Sequence, residues 1–486
     1  MNFKILKNYM YNIIHIFGTI LFPLLFFPYV SRVLGPQYYG KYNFAISITA
    51  YFLILAEFGT QSYGIKELLK AKYESKIQFK KTLTELIIIG LIMSVISFFI
   101  YLVVILNVDI LKNEKSLYLI VGIPILTSFL AVDFVFIAME NYRRRTIRLI
   151  LIKIISLVLI FTMVKKPEDY IIFAIILTIP EICVRFFDVL SIRKYLLLKG
   201  LKFVKHMQAL IFIFFYTLST SIYLNLDSTM LGFIKGDTEV GYYAVSVKIA
   251  KIMIPITTSL GIVLSANIVN KIKNKEMKNV YEDIELYSNF IFFLSFPLIC
   301  FLMLLKKDLI LLFVGPMYIK SIIPMVVMLP IIIFISMSRF YASQLLLPLD
   351  KEKNIFYISL IGLISNFSLN IIFIPKYGIL GAAIGTVISE FIVFNCRLLA
   401  VKKVFKEYKV FTKKRIIYIF AALFSYIFNE LLCGIVEFEN LFFKIFITVL
   451  LYGIIYLIIL IFFKEYFVTI GINIIKKLFG KKERFK

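Results

Sequence analysis

The stretch Pro28–Ile48, PYVSRVLGPQYYGKYNFAISI, decides the fold because it lies between two long apolar segments and is repeated later in the chain. It contains the pattern G-x4-G-x-Y at Gly35–Tyr42. The same pattern returns 201 positions later at Gly236–Tyr243, again between two apolar segments. A motif repeated at matching places in two long apolar regions indicates a chain that is built from two similar halves.

The composition is typical of a membrane protein. Of the 486 residues 61% are hydrophobic and only 17% are charged, whereas a soluble domain is about half apolar and about a quarter charged. Long apolar runs such as Leu83–Leu106 and Leu441–Phe463 can cross a hydrocarbon core of about 30 Å as helices. A closed barrel would instead show alternating strands of about ten residues. The sequence therefore predicts an all-α polytopic membrane protein.

We predict about 14 transmembrane helices from the apolar segments of the chain. One of them, 149–164, is short and carries Lys153. The segments are 9–30, 42–58, 83–106, 117–139, 149–164, 170–192, 209–234, 241–264, 288–305, 319–341, 355–374, 380–399, 416–432 and 441–463.

The distribution of basic residues predicts the orientation, because cytoplasmic loops carry an excess of Lys and Arg. If the N-terminus is cytoplasmic, the inner loops and tails carry 37 of the 55 Lys and Arg, and the outer loops carry 10. Both termini are then cytoplasmic, and the net charge of +26 is spread over every inner loop. A nucleic-acid-binding protein would gather such charge in one patch, so nucleic acid is not a predicted partner.

The two copies of the motif also predict how the helices are grouped. Six helices separate them, and an even number gives both halves the same orientation. We therefore predict two six-helix bundles, 1–208 and 209–400, related by a pseudo-two-fold axis along the membrane normal. The basic stretch Lys402–Arg415 precedes a further pair of helices and a basic cytoplasmic tail, which together form the third region, 401–486.

No catalytic pattern stands out in the sequence. It has no Walker A motif, no H-E-x-x-H and no convincing nucleophile or acid/base arrangement, and the predicted outer loops are too short for a catalytic domain. Four scattered cysteines and two histidines do not form a metal site. We therefore expect a protein that is not an enzyme and that needs no cofactor or metal. The informative residues are charges within spans, since each costs about 2.5–3.5 kcal/mol near a helix centre.

The most informative of these charges are Lys248 and Lys251 in the eighth predicted span. They lie three residues apart and hence on one helix face, and Pro255 one turn later predicts a bend. One interpretation is a cationic site for a phosphate group in a central cavity. The other is a pair of lysines that reaches the membrane surface or pairs with a carboxylate such as Asp227.

Three further charges complete the candidate site. In the first copy of the motif Ser47 and Ala50 replace the two lysines, so Arg32 is the cation that the first half could contribute; it could also simply reach lipid headgroups. Asp227 and Glu390, within the seventh and twelfth spans, are candidates for coupling to Na⁺ or H⁺. Each could equally be a packing or pairing charge.

Three stretches resemble bacterial polysaccharide-biosynthesis flippases of the O-antigen transporter type, which belong to the multidrug/oligosaccharidyl-lipid/polysaccharide exporter superfamily. The resemblance extends over most of residues 1–400 and implies two six-helix bundles around a central cavity with alternating access. The stretches are PYVSRVLGPQYYGKYNFAISI with YFLILAEFGTQSYGIKEL after it, LDSTMLGFIKGDTEVGYYAVSVKI, and LLLPLDKEKNIFYISLIGLISNFSLNIIFIPKYGILGAAIGTVISE.

The resemblance also implies a function. It implies that an undecaprenyl-diphosphate-linked oligosaccharide moves from the cytoplasmic to the outer leaflet of the bacterial cytoplasmic membrane, for O-antigen, capsule or exopolysaccharide synthesis. Polymerase and chain-length proteins would be partners, and Lys248, Lys251 and Arg32 would contact the diphosphate.

Three alternatives remain at this point. A cation-coupled multidrug antiporter of the same fold would be expected to present acidic residues to its substrate. A membrane-embedded glycan polymerase or glycosyltransferase would need a large catalytic loop. A structural scaffold would not require buried lysines.

Overall fold

The computed structural model describes residues 3–435 and 440–480, and within them the chain is helical without a β-strand. The predicted all-α class is confirmed. The α-helices are α1 Phe3–Glu57, α2 Thr60–Glu74, α3 Lys76–Asn107, α4 Asp109–Lys112, α5 Lys115–Leu126, α6 Asp133–Ala138, α7 Tyr142–Met163, α8 Tyr170–Ile192, α9 Val204–Lys235, α10 Asp237–Lys251, α11 Ile254–Lys273, α12 Met277–Leu304, α13 Lys306–Phe313, α14 Ile322–Met328, α15 Ile331–Phe340, α16 Glu352–Tyr377, α17 Ile379–Lys402, α18 Lys413–Ile435, α19 Leu441–Phe462 and α20 Tyr466–Gly480.

The number of membrane spans agrees with the prediction. Within the described residues, 11 helices are long and apolar enough to cross a membrane, or up to 13 if each of two bent helix pairs counts as one span. The first of the 11, Phe17–Glu74, contains the predicted spans 9–30 (in part) and 42–58. Helix α1 is interrupted at Gly35, which has a non-helical backbone, and this interruption lies between the two predicted spans.

Two predicted spans are sharply bent. The spans predicted at 117–139 and 319–341 are each broken into two helices, which are bent by 43° and 48° respectively. Pro124 lies in the last turn of α5, and Pro330 directly precedes α15. Proline has no backbone N–H and clashes with the preceding turn, so it favours a break at these places.

The chain forms two compact units, and each is made of segments that are separate in sequence. The predicted boundaries 1–208, 209–400 and 401–486 stay predictions, and the last six residues of the predicted basic tail lie outside the described residues. Unit 1 comprises Met1–Ala244, Phe313–Tyr318 and Asn370–Ala382, and unit 2 comprises Val245–Leu312, Ile319–Leu369 and Ala383–Lys486.

Apolar side chains fill the interior of unit 1 and also cover its outside. Leu68 on α2, Leu83 on α3 and Val135 on α6 are fully buried in one cluster. On the outside, Phe99 of α3 is 68% exposed and Phe212 of α9 is 62% exposed. Large apolar residues in such exposed positions are typical of a surface that faces lipid rather than water.

Unit 2 has an aromatic core whose buried hydroxyl groups are hydrogen-bonded. The rings of Tyr287 on α12 and Phe340 on α15 stack with their centroids 3.9 Å apart. The hydroxyl oxygen of Tyr408 lies 3.0 Å from that of Tyr341 and 2.7 Å from that of Ser288. Because an unpaired buried hydroxyl costs free energy, this chain of contacts fixes the segment around Tyr408 against α12.

Arg415 anchors the start of α18 inside unit 2. Its side chain is fully buried. The guanidinium donates to the side chain of Asn289 at 2.9 Å, to Glu285 at 2.5 Å and to the carbonyl of Val410 at 2.9 Å. The basic stretch Lys402–Arg415 therefore ends in a buried ion pair with α12, which offsets the cost of burying a charge.

We expect Arg415→Met to destabilise the protein by about 1–3 kcal/mol, because it leaves the acceptors on α12 without their donor. The chain contains no tryptophan, so thermal unfolding in detergent should be followed with a thiol-reactive dye. The background keeps the buried Cys300 and replaces the other three cysteines with serine, because Cys183 and Cys396 are accessible in the folded protein. The neighbouring exposed Lys414, changed to Met, is the matched control and should leave the transition unchanged. An equal transition temperature for both variants would contradict the anchoring role of Arg415.

Candidate functional site

The first glycine of each motif copy adopts the same unusual backbone conformation. Gly35 has φ 66° and ψ 175°, and Gly236 has φ 88° and ψ 175°. This region of φ and ψ is open to glycine and strained for residues with a side chain. Gly35 interrupts α1, and Gly236 separates α9 from α10. The repeated glycine is therefore the bend in both copies, as its position between two spans predicts.

The second glycine of each copy lies against the backbone of the other copy. A Cβ atom on Gly40 would lie 1.8 Å from the carbonyl oxygen of Asp237, and one on Gly241 would lie 1.9 Å from the carbonyl oxygen of Pro36. Pro36 and Asp237 occupy equivalent positions, directly after the bend. The contact is thus reciprocal, as a local two-fold relation between the copies requires, and it lies entirely within unit 1.

The tyrosine of the second copy holds Asp227. The hydroxyl of Tyr243 donates to one carboxylate oxygen of Asp227 at 2.5 Å, and the side-chain amide of Asn370 donates to the other at 2.7 Å. All three residues are buried in unit 1. A coupling ion at Asp227 would have to share the carboxylate with these two donors. Sequence reasoning missed both partners, although the tyrosine was visible as part of the repeat.

Arg32 lies on α1, three residues before the bend, and its side chain is exposed. Its Cγ atom lies 3.7 Å from the position that a Cβ atom on Gly315 would take. Beside it, the hydroxyl of Tyr318 donates to the carbonyl of Ser31 at 3.1 Å. The proposed diphosphate contact is therefore located where the short segment Phe313–Tyr318 packs against α1 within unit 1.

Lys248 and Lys251 lie in the last turn of α10, in unit 2, and both are half-buried. Helix α10 ends at Lys251 and α11 begins at Ile254, with Pro255 in its first turn. The helix is interrupted between Lys251 and Ile254, where the bend was predicted, within one candidate membrane span, Asp237–Gly261. The carbonyl groups at the end of a helix favour nearby positive charge, so this position suits two lysines and, through them, an anion.

The other predicted residues are divided between the units. Glu390 is buried in α17 and belongs to unit 2, with Lys248 and Lys251, whereas Arg32 and Asp227 belong to unit 1. Among the described residues no cluster of three or more His, Cys, Asp or Glu side chains could hold a metal ion. The candidate ligand-binding groups among the predicted site residues are therefore the cationic side chains and the carboxylates.

A charged cavity of about 440 Å³ within unit 1 is absent from the sequence-based prediction. It lies among α1, α7 and α8, and ion pairs such as Arg145–Asp133 and Arg185–Glu181 line it. Two features of the sequence could have indicated this cavity. One is the run of arginines at 143–148, and the other is the spacing of the charged residues of α8, which places those residues on one helix face. The run alone indicates only a cytoplasmic helix end.

Comparisons with known proteins agree with this architecture. The family described as "Polysaccharide biosynthesis protein" matches residues 5–264, slightly more than half of the chain. A protein of Escherichia coli (strain K12) named "Putative O-antigen transporter" is 24% identical over 417 residues, which cover 82% of this chain and 96% of that protein.

Solved structures show the same fold at low sequence identity. The lipid II flippase MurJ, in an inward closed conformation, aligns with a TM-score of 0.73 and 21% identity over 94% of this chain and 99% of its own. An inward-facing multidrug resistance transporter of the MATE family, from the MOP superfamily, aligns with a TM-score of 0.62 and 11% identity over 81% of this chain and 96% of its own. The predicted all-helical fold is thereby confirmed, since the chain shares it with both of these structures.

We expect Gly40→Ala to destabilise the protein, although alanine is the better helix former by about 1 kcal/mol. The new methyl group collides with a backbone carbonyl that cannot rotate away, and such overpacking costs about 1–3 kcal/mol. Gly241→Ala should cost a similar amount, because it makes the equivalent contact. In α19, no atom lies within 4 Å of the position that a Cβ atom on Gly453 would take, so Gly453→Ala is the control and should raise the transition temperature or leave it unchanged. The transition temperatures of all three variants are compared with that of the wild type in thermal unfolding. A stabilised Gly40→Ala variant would show that the close backbone contact does not require glycine.

Proposed function

Because this chain belongs to the polysaccharide biosynthesis protein family, we propose that it is a flippase for an undecaprenyl-diphosphate-linked oligosaccharide repeat unit. It moves this unit from the cytoplasmic to the outer leaflet of the bacterial cytoplasmic membrane, for O-antigen, capsule or exopolysaccharide synthesis. The name of the Escherichia coli relative supports an O-antigen substrate, and the name of the MurJ structure supports a lipid-linked one. Both termini are cytoplasmic in this proposal, and polymerase and chain-length proteins take over the product.

The chemistry of the substrate explains what the protein must supply. A diphosphate and a set of sugar hydroxyls cannot cross hydrocarbon unaided, because unpaired charge and unsatisfied hydroxyls are costly there. The lipid tail can remain in the bilayer while a polar path takes the head group. Cationic side chains within the spans offset the charge of the diphosphate along such a path.

The half-buried pair Lys248 and Lys251 is the observation that carries the proposal. The two ammonium groups come from one helix turn, directly before the break that precedes Pro255. A break in a membrane helix frees backbone groups and is favoured where a polar cavity lies beside it. Arg32, exposed at the outer end of the first predicted span in the proposed orientation, is the cation from the first half.

In this proposal, the contact between the two motif copies opens and closes during transport. Alternating access requires one side of the carrier to close while the other opens. With the predicted orientation, the contact of Gly40 and Gly241 closes the outer side and separates when the substrate leaves. Asp227 and Glu390 are the carboxylates at which a Na⁺ or H⁺ gradient could give the movement its direction.

The multidrug antiporter is the second candidate, because structures of MATE transporters share the fold. A cationic drug would favour carboxylates in its path, whereas the broken helix here presents two lysines. A glycan polymerase or glycosyltransferase would need a substantial catalytic loop, and the described connections between helices are short. The polysaccharide family match favours the flippase over both alternatives.

Depletion of the protein in its native host tests the function. We expect the lipid-linked oligosaccharide to accumulate on the cytoplasmic face and surface polysaccharide to be lost, because the head group cannot cross without the carrier. The leaflet is determined by the access of a membrane-impermeant glycosidase or lectin to right-side-out and inverted vesicles. Unchanged surface polysaccharide together with altered drug sensitivity would instead favour the antiporter.

The double variant Lys248→Ala, Lys251→Ala tests the diphosphate site. We expect it to restore less than about a tenth of the polysaccharide in depleted cells, since losing two charge-assisted contacts of about 1.5–3 kcal/mol each is a large penalty. The control is Lys403→Ala with Lys406→Ala, which removes two exposed charges with the same spacing. Both proteins must reach the membrane in equal amounts. Full complementation by the first variant would exclude these lysines as the diphosphate site.

A further inference from the structure

The charged cavity of unit 1 is lined by more ionisable side chains than take part in its ion pairs. Its volume is about 440 Å³, and nine of the side chains that line it are ionisable. Arg148 pairs with both Asp133 and Asp188, Arg145 pairs with Asp133, and Arg185 pairs with Glu181. These pairs lock α7 to α8 and to the start of α6, and they form a rigid polar wall.

Three ionisable side chains that line the cavity take no part in these ion pairs. Among the described residues, Glu57 and Lys153 form no ion pair, and the Nδ1 atom of His15 has no hydrogen-bond partner. The Lys153 ammonium lies 4.6 Å from the centre of the Phe22 ring. Glu57 lines the same cavity as Arg185. Each of the three can therefore accept or donate a hydrogen bond to a ligand.

The charges that line the cavity balance one another. A diphosphate would favour an excess of positive charge, and a metal ion would favour an excess of carboxylates. A balanced set of fixed donors and acceptors instead suits an uncharged ligand with many hydroxyl groups, because each hydroxyl both donates and accepts. The four cations are Arg145, Arg148, Lys153 and Arg185, and the four carboxylates are Glu57, Asp133, Glu181 and Asp188.

The position and size of the cavity narrow the choice of ligand. It is lined by the first turns of α7, the last turns of α8 and the end of α1, which are the predicted cytoplasmic ends of these helices. The cavity has room for one sugar residue, since its volume is about 440 Å³ and a hexose has about twelve non-hydrogen atoms.

We propose that this cavity is a glycan subsite that takes one sugar residue of the lipid-linked substrate on the cytoplasmic side, with Glu57 and Lys153 as its specificity-determining residues. The proposal rests on the proposed function, since it assigns the sugar part of the same substrate to a site apart from the diphosphate lysines. It also predicts that substrate choice depends on unit 1, where the cavity lies.

The test compares two lipids on purified full-length protein. The probes are undecaprenyl diphosphate without a glycan and the glycan-bearing lipid extracted from depleted host cells. We expect the wild type to bind the glycan-bearing lipid about tenfold more tightly, which is about 1.4 kcal/mol. The double variant Glu57→Gln, Lys153→Met should bind both lipids with the affinity of the bare one. Lys70→Met with Glu74→Gln makes the same chemical changes at exposed positions of α2 and should keep the preference.

The outcomes separate the two proposals. A wild type that binds neither lipid would contradict the proposed function itself. A wild type without preference, or a double variant that keeps it, would overturn the glycan subsite alone. Binding of the bare lipid reports on folding of the variant. If the double variant does not bind it, each single substitution is compared in the same way, and a full preference in both would overturn the subsite.

Discussion

The close approach of two backbones at the repeated motif is the constraint on which the rest of unit 1 depends. The carbonyl oxygens of Pro36 and Asp237 occupy the space of a side chain on Gly241 and Gly40, so only glycine allows the two copies to meet. The bend glycines before them set the direction in which each following helix leaves the contact. Tyr243 then lies two residues beyond Gly241, where it reaches Asp227. The close backbone contact thus determines where Tyr243 lies, and with it the partner of the Asp227 carboxylate.

The cost of charge in an apolar environment determines what the remaining polar residues do. Asp227 and Arg415 are buried, and each connects helices. Asp227 joins α9 to the next helix, α10, and to the distant α16, and Arg415 joins α18 to the distant α12. An uncompensated buried charge would cost several kcal/mol, so these hydrogen bonds make the packing specific as well as stable. The same charge that signals function in a sequence can therefore be a structural connection, as Arg415 is.

The sequence predicts what depends on local pattern and misses what depends on distant partners. Apolar runs predicted the spans, and the repeated glycines predicted both bends, because lipid and backbone sterics act locally. The breaks at Pro124 and Pro330 were not predicted, since a membrane helix can also contain proline without breaking when its neighbours satisfy the freed groups. Asn370 lies 143 residues from Asp227, and no local rule connects them.

The charged cavity was missed for a related reason, because the positive-inside rule treats every cytoplasmic cation alike. Only the fold shows that the arginines of α7 turn inward to the carboxylates of α6 and α8.

The two motif copies share their glycines but not the charges that follow them, and this difference fits an asymmetric substrate. Ser47 and Ala50 stand in the first copy where Lys248 and Lys251 stand in the second. Both copies need the same bend to leave the close backbone contact, so the glycines repeat. A lipid-linked oligosaccharide, however, presents a dianionic group beside an uncharged glycan. Under the proposed function, the basic helix end in unit 2 suits the diphosphate, and the charge-balanced cavity in unit 1 suits a sugar residue.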